Sequence, residues 1–189
     1  MKRKFLGRLL VALLVVLTAA GDVYASVGRK TLAIVGKVTR VSDGDTIWVH
    51  AGLLRYKVRL NRIDAPESNQ PYGKESAAHL KSLIFGKEVR VEYETTDRYG
   101  RILGIVFLGD TDINLQMVRD GCAWHYSHFD KTPSYVAAER EAQTAKRGLW
   151  ATTNLINPYY WRRDSPLGQK TCLKAEETFN GLKCGSATD

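Results

Sequence analysis

Cysteine is scarce in this chain, three in 189 residues, too few to hold together a small disulfide-built fold. No Cys-x-x-Cys pair occurs, and His125 and His128 lack the spacing and the carboxylate of a zinc-hydrolase motif, so both read as packing or rim residues. P-loop and nucleophile-elbow patterns are missing as well. Five Pro, 16 Gly and no internal repeat exclude collagen-like and low-complexity chains. Acidic residues are the minority charge, 20 against 28 Lys and Arg, which leaves a formal net charge of +8 and a pI near 9.4. Such a balance favours anionic partners, nucleic acid or a membrane surface, without choosing between them. The 44% hydrophobic content argues against disorder and suffices for one domain of ordinary size.

Long apolar runs are also lacking. The longest, residues 9–20, has 12 residues, short of the roughly 18 needed to span a bilayer. It follows Lys2, Arg3 and Lys4 and precedes Val23-Tyr24-Ala25, small residues where a signal peptidase reads. This predicts a signal peptide over 1–25, cleaved after Ala25, and export to the periplasm or the medium with no stable membrane association afterwards. No Cys follows the run, which argues against lipoprotein processing. Residues 26–189 keep 24 Lys and Arg against 19 Asp and Glu, a net charge of +5. In an oxidising compartment Cys172 and Cys184 are spaced to pair, a short loop of about 3 kcal/mol in the chain-entropy picture. Other pairings stay open, and Cys122, inside an apolar stretch, reads as a buried small hydrophobe.

The remaining chain reads as strands followed by helices. Residues 31–41 and 46–50 are expected strands, with Asp43-Gly44 as turn chemistry between them. Residues 56–63 alternate Val58 and Leu60 with Lys57, Arg59 and Asn61, and residues 87–94 alternate through Val89, Val91 and Tyr93. Residues 102–108 give a fifth strand after a turn over 97–100. A helix over 73–85 places Ala77, Leu80 and Ile84 on one face, with Gly86 past its end. Asp112 caps a short helix through Arg119, and Pro133 opens another over 134–147. Five strands with a helix between the third and fourth is the order of an OB-fold barrel, so the fold class is α+β and β-rich, with about three helices. The chain after Trp150 shows little periodicity. The expected division is a leader over 1–25, a domain over 26–163 and a tail over 164–189, closed by a disulfide if the two tail cysteines pair. A monomer is expected.

Four pieces carry chemistry. In Asp43-Gly44-Asp45-Thr46 two carboxylates flank a glycine at a turn, hard oxygens suited to Ca²⁺ or Mg²⁺, although such a sequence is often only a turn. Arg59 leads into Asp64-Ala65-Pro66-Glu67, with two acids beside a stiffened chain. Asp97-Arg98-Tyr99-Gly100-Arg101 is either a solvated hairpin or a way to bring Arg101 to the face carrying Arg59. Trp124, Tyr126, Tyr159, Tyr160, Trp161, Arg162 and Arg163 suit base stacking and phosphate contact, and equally suit packing, the preferred reading for most of them. Cleaving a phosphodiester needs a cation, cationic donors and a base to activate water. Asp45 and Asp64 could hold the cation, Arg59 and Arg101 could be bidentate donors, and Glu67 could be the base. Arg59 and Asp64 have opposite strand parity, so a bulge or a strand end must intervene if they share a site, and the sequence shows neither.

These blocks, in this order and spacing, resemble the signatures of the staphylococcal nuclease (thermonuclease) family. The resemblance runs from about residue 36 to 150, with residues 114–121 and Gly148-Leu149-Trp150 similar to its later helical elements, and a Tyr-Trp-Arg-Arg-like ending extends it to Arg163. It implies an OB-fold barrel and Ca²⁺-dependent endonuclease cleavage of DNA and RNA, single- or double-stranded, with 3′-phosphate products. By position it implies Asp45 and Asp64 as metal carboxylates, Thr46 as a backbone-carbonyl ligand, Arg59 and Arg101 as catalytic phosphate-binding arginines, Glu67 as general base and Asp43 as a secondary acid. The sequence departs from the family pattern in a shorter loop between Glu67 and Gly73, in Ala65 replacing a threonine, and at residues 127–129, where a pair of tyrosines is not matched. The rival is an OB-fold module that grips nucleic acid without cutting it, and the acids argue against it, because beside a phosphate they repel.

Overall fold

The computed structural model describes residues 31–153 and 155–163; the expected leader, Cys172, Cys184 and the tail over 164–189 lie outside them. In chain order the elements are β1 (Leu32–Val41), β2 (Thr46–Ala51), β3 (Leu54–Leu60), the two-residue β4 (Ile63–Asp64), α1 (Gly73–Ile84), β5 (Glu88–Thr96), β6 (Ile102–Leu108), β7 (Thr111–Asp112), α2 (Ile113–Arg119), β8 (Trp124–His125), α3 (Pro133–Thr144), a 3₁₀ turn (Gly148–Ala151) and α4 (Pro158–Arg163).

The sheet runs β3-β2-β1-β5-β6-β7, and parallel pairing of β3 with β6, Val58 opposite Ile102 through Leu60 opposite Gly104, closes it into the expected five-stranded OB-fold barrel. Period-2 alternation explains the closure. Val38, Ile47, Val49, Val58, Leu60, Val91 and Val106 are fully buried, while their strand neighbours point outward. Gly104 sits where an added Cβ would strike Val91 across the interior, so the barrel narrows there. Leu80 and Ile84 of α1 and Ile113, Met117 and Val118 of α2 join the same core. The Asp112 carboxylate accepts the Leu115 N–H at 2.9 Å, capping α2 as its sequence suggests. Cys122 is buried with its thiol reduced.

Three expectations are corrected. The third strand does not run through Ile63: it stops at Leu60, and Arg62 takes a left-handed φ of 67° before β4 resumes. Helix α3 ends at Thr144, not Arg147, because Lys146 and Gly148 both adopt positive φ, 49° and 54°. The stretch after Trp150 contains α4, a six-residue helix too short to display a helical period.

Candidate active site

The break after β3 builds the site. Side-chain amide Nδ2 of the fully buried Asn114 donates to the Asn61 and Gly104 carbonyls at 2.9 and 3.0 Å, and its Oδ1 accepts the Val106 N–H at 3.1 Å. This pins the turn at Asn61–Arg62, and the turn reverses the parity that would separate Arg59 from Asp64. Arg59 then donates from Nη2 to Asp64 Oδ1 at 2.8 Å and forms an ion pair from Nη1 with Asp45 Oδ2 at 2.7 Å. The same Nη1 reaches the Leu60 and Ile63 carbonyls, so the guanidinium also ties the break together. Burial alone would lower the Arg59 pKa; Asp45 and then Asp64 outweigh it and hold it above its ordinary value.

Asp45 is anchored by its surroundings. Its Oδ2 accepts the Ala65 N–H at 2.9 Å and its own N–H rests on Asp43 Oδ1 at 3.0 Å. A Cβ at Gly44 would collide with the Ser76 hydroxyl and Ala65, so only glycine lets this turn lie against α1. Burial, and after it the charge of Asp45, pushes the Asp43 carboxyl up to about 7. Thr46 donates its hydroxyl to Asp45 Oδ1 at 3.1 Å, while its carbonyl accepts the Ser42 N–H at 2.8 Å and is in part committed to the turn.

Glu67 sits on the loop into α1. Its N–H donates to Gln70 Oε1 at 3.1 Å, its carbonyl accepts the Gln70 N–H at 2.9 Å, and a Cβ at Gly73 would run into that carbonyl. The loop is braced from far along the chain: Gln70 Nε2 donates to the Ile156 carbonyl and Trp161 Nε1 to Asn69 Oδ1 at 3.3 Å. From the same helix, α4, Arg162 places its fork on Asp64, with Nη1 on Oδ1 at 3.0 Å and Nη2 on Oδ2 at 2.8 Å, and Nη1 also reaches Glu67 Oε1 at 2.9 Å. Burial works against the Arg162 charge, but the bonds to Asp64 and then Glu67 more than offset it and raise its pKa. Asp64 is nearly inaccessible; burial raises its pKa while Arg162 and Arg59 pull it down.

Arg101 lines the same cavity of about 880 Å³ as Asp43, Asp45, Thr46, Arg59, Glu67 and Arg162, entering from just before β6, the strand paired with β3, and its Nε is held by Asp97 Oδ2 at 2.7 Å. Tyr126, Tyr159 and Arg163 also line it, and the His128 and Tyr159 rings lie 4.4 Å apart. All seven residues singled out by sequence are thus brought together: six line the cavity and Asp64 joins them through Arg59. His125 stays a packing residue, its ring on Asp130 at 2.9 Å. The residue whose place in the site sequence reasoning missed is Arg162, flagged only within an aromatic and basic scatter; its link to Asp64 spans 98 positions and leaves no local signal.

Asp45 and Asp64 are hard oxygen donors gathered on one guanidinium, and they fit a hard divalent cation such as Ca²⁺. Among the described residues no group of three or more His, Cys, Asp or Glu converges as a metal cage, so backbone, water and substrate oxygens would have to complete the shell.

Residues 57–152 match the family model for staphylococcal nuclease homologues. An uncharacterized endonuclease of Escherichia coli is 45% identical over 128 residues, 67% of this chain and 84% of the relative. A second uncharacterized endonuclease, from Haemophilus influenzae, is 41% identical over 132 residues, 69% of this chain and 74% of its own. A micrococcal nuclease of Shigella flexneri is 40% identical over 141 residues, covering 69% and 81%. With the barrel and the cleft in place, these matches make the chain a member of the staphylococcal nuclease family.

Proposed function

We propose that the cleft between the strand break and α4 is where this phosphodiester hydrolase cuts nucleic acid, using Ca²⁺ on Asp45 and Asp64. The observation that supports it is the bridge Asp45–Arg59–Asp64, with Glu67 linked to Asp64 through Arg162. A bound cation supplies charge neutralisation of the phosphate oxygens and favours a nucleophilic water at neutral pH.

The chain's own groups perform the remaining tasks. Arg59 and Arg101 both line the cavity, from β3 and from just before its paired strand β6, and can donate to the phosphate oxygens as charge builds in the transition state. Glu67 takes the proton of the attacking water, the water oxygen bonds to phosphorus, the bond to the 5′-oxygen breaks, and that oxygen leaves with a proton taken from solvent water. The product then carries a 3′-phosphate. Arg162 answers to the charge on Asp64 and Glu67. It neutralises Asp64 and Glu67 as the structure stands; were Asp64 to hold a cation, an arm of that fork would be free to donate to a phosphate oxygen. Both DNA and RNA fit a site that contacts phosphates. The leader expected from the sequence supports an activity outside the cytoplasm, in the periplasm or the medium.

The test follows DNA hyperchromicity with purified protein and its Glu67→Gln variant, in Ca²⁺ and in chelator. Cleavage requiring both Ca²⁺ and Glu67 is the expected result. Binding without cleavage under any divalent ion would move the assignment to a nucleic-acid-binding module.

A further inference from the structure

The candidate site lies at one end of a row of cations that continues away from it. On β3, Arg55, Lys57 and Arg59 alternate with the buried Val58 and Leu60, so all three point out of the barrel. Their ladder partners extend the same face: Lys57 lies opposite Trp48, and Arg55 opposite His50, which in turn faces Lys37 on β1. A register shift between Val38 and Arg40 brings Arg40 opposite Trp48. The Arg55 guanidinium and Lys57 ammonium lie 5.0 and 5.8 Å from the Trp48 ring centre.

The electrostatics of this row differ from those of the cleft. Lys37, Arg40, Arg55 and Lys57 are exposed, and among the described residues none of them forms an ion pair with a carboxylate. Glu88, opposite Lys37 on β5, is an acid at the margin, and the next pair along that margin, Arg90 and Glu92, neutralise each other. Four cations against one acid, at their margin, cost self-repulsion, and a polyanion laid across them relieves it.

We propose that this outer face of β1, β2 and β3 is the docking track for the strand flanking the cut, an unpaired stretch of nucleic acid running out of the cleft. The inference rests on the nuclease reading of the site. Three features select this occupant. The row is continuous with Arg59, so one chain of phosphates can touch both. Successive cations on β3 are spaced by a two-residue step of roughly 6.6 Å, suited to an extended strand. Trp48 beside them offers a stacking surface that accepts any base. At the hairpin tip Leu53 is fully exposed, with Leu54 next to it, so an anionic lipid surface is the competing occupant.

The experiment compares the wild-type protein with Arg55→Gln/Lys57→Gln, residues outside the cleft. Cleavage is measured on a trinucleotide and on a 20-nucleotide oligothymidine, together with oligothymidine binding at several salt concentrations and binding to phosphatidylglycerol vesicles. The expected result is a KM on the long substrate raised roughly tenfold, unchanged kcat and trinucleotide kinetics, and a binding salt slope lower by about 1.4, at about 0.7 per lost phosphate contact. Melting temperature should be unchanged. An unaltered salt slope, an equal effect on both substrates, or a loss confined to vesicle binding would each overturn the track. Were the wild-type protein to cleave neither substrate, the nuclease reading would fail by itself, while the salt slope would still decide whether the face binds a strand.

Discussion

Arg59 and Lys57 are two residues apart on one strand, point to the same side, and live in opposite electrostatic worlds. Arg59 is buried against Asp45 and Asp64, with both arms of its fork engaged, whereas Lys57 is exposed with an aromatic ring and no acid. Where charges are paired and dry, geometry matters and the identity of the cation cannot change. Where they are unpaired and wet, only the charge counts, and salt screens it. The cleft is therefore built for chemistry at one phosphate, and the face beside it for holding many.

The largest effect should come from breaking the paired side. Arg59→Ala leaves the buried Asp45 without an ion-pair partner among the described residues and Asp64 with Arg162 alone, and should cost about 3 kcal/mol in stability, read from denaturant unfolding. Arg59→Lys should be nearly as inactive in the cleavage assay, because a point charge cannot span both acids, whereas Lys57→Arg should be indistinguishable from wild type. Near-normal activity in Arg59→Lys would erase the contrast. Glu67→Gln keeps an acceptor for Arg162 and should keep the melting temperature, yet lose roughly 10²- to 10⁴-fold in rate.

A smaller effect is expected at Arg162. Because it occupies Asp64 before any cation can, Arg162→Gln should tighten Ca²⁺ binding in the absence of nucleic acid by about threefold or more, measured by calorimetry. Weaker Ca²⁺ binding in that variant would mean that Arg162 supports the cation instead of competing with it.

The smallest effect lies behind the cleft, at Glu139. This carboxylate accepts the His125 N–H at 2.9 Å, and burial pushes it from 4.5 up to about 7. A folded-state pKa above the unfolded one means that its contribution is present below about pH 4.5 and is lost as pH rises through about 7. Glu139→Gln, which keeps the acceptor, should flatten the stability profile across that window in melts taken at successive pH values.

The barrel could be read from sequence because strands buried on one side write a period-2 pattern, as in Val58, Leu60, Val89 and Val91. The four motif blocks pointed to the cleft because the acids and arginines sit in short local clusters. The parity conflict between Arg59 and Asp64 required a bulge or a strand end if the two shared a site, but showed neither the left-handed Arg62 nor the Asn114 side chain that holds the break, since a buried amide reaching three distant backbone groups has no periodic signature. The role of α4 was hidden for the same reason. Trp161 and Arg162 act on Asn69, Asp64 and Glu67, contacts that span more than 90 positions. The closeness of Gly73 to the Glu67 carbonyl likewise exists only once the loop is folded.

The most direct test of the paired cluster as a cation site is a calorimetric Ca²⁺ titration of the protein beside its Asp64→Asn variant, without nucleic acid. One saturable site is expected in the wild-type protein, which Asp64→Asn abolishes or weakens by at least about tenfold. Equal Ca²⁺ binding by both proteins would contradict it.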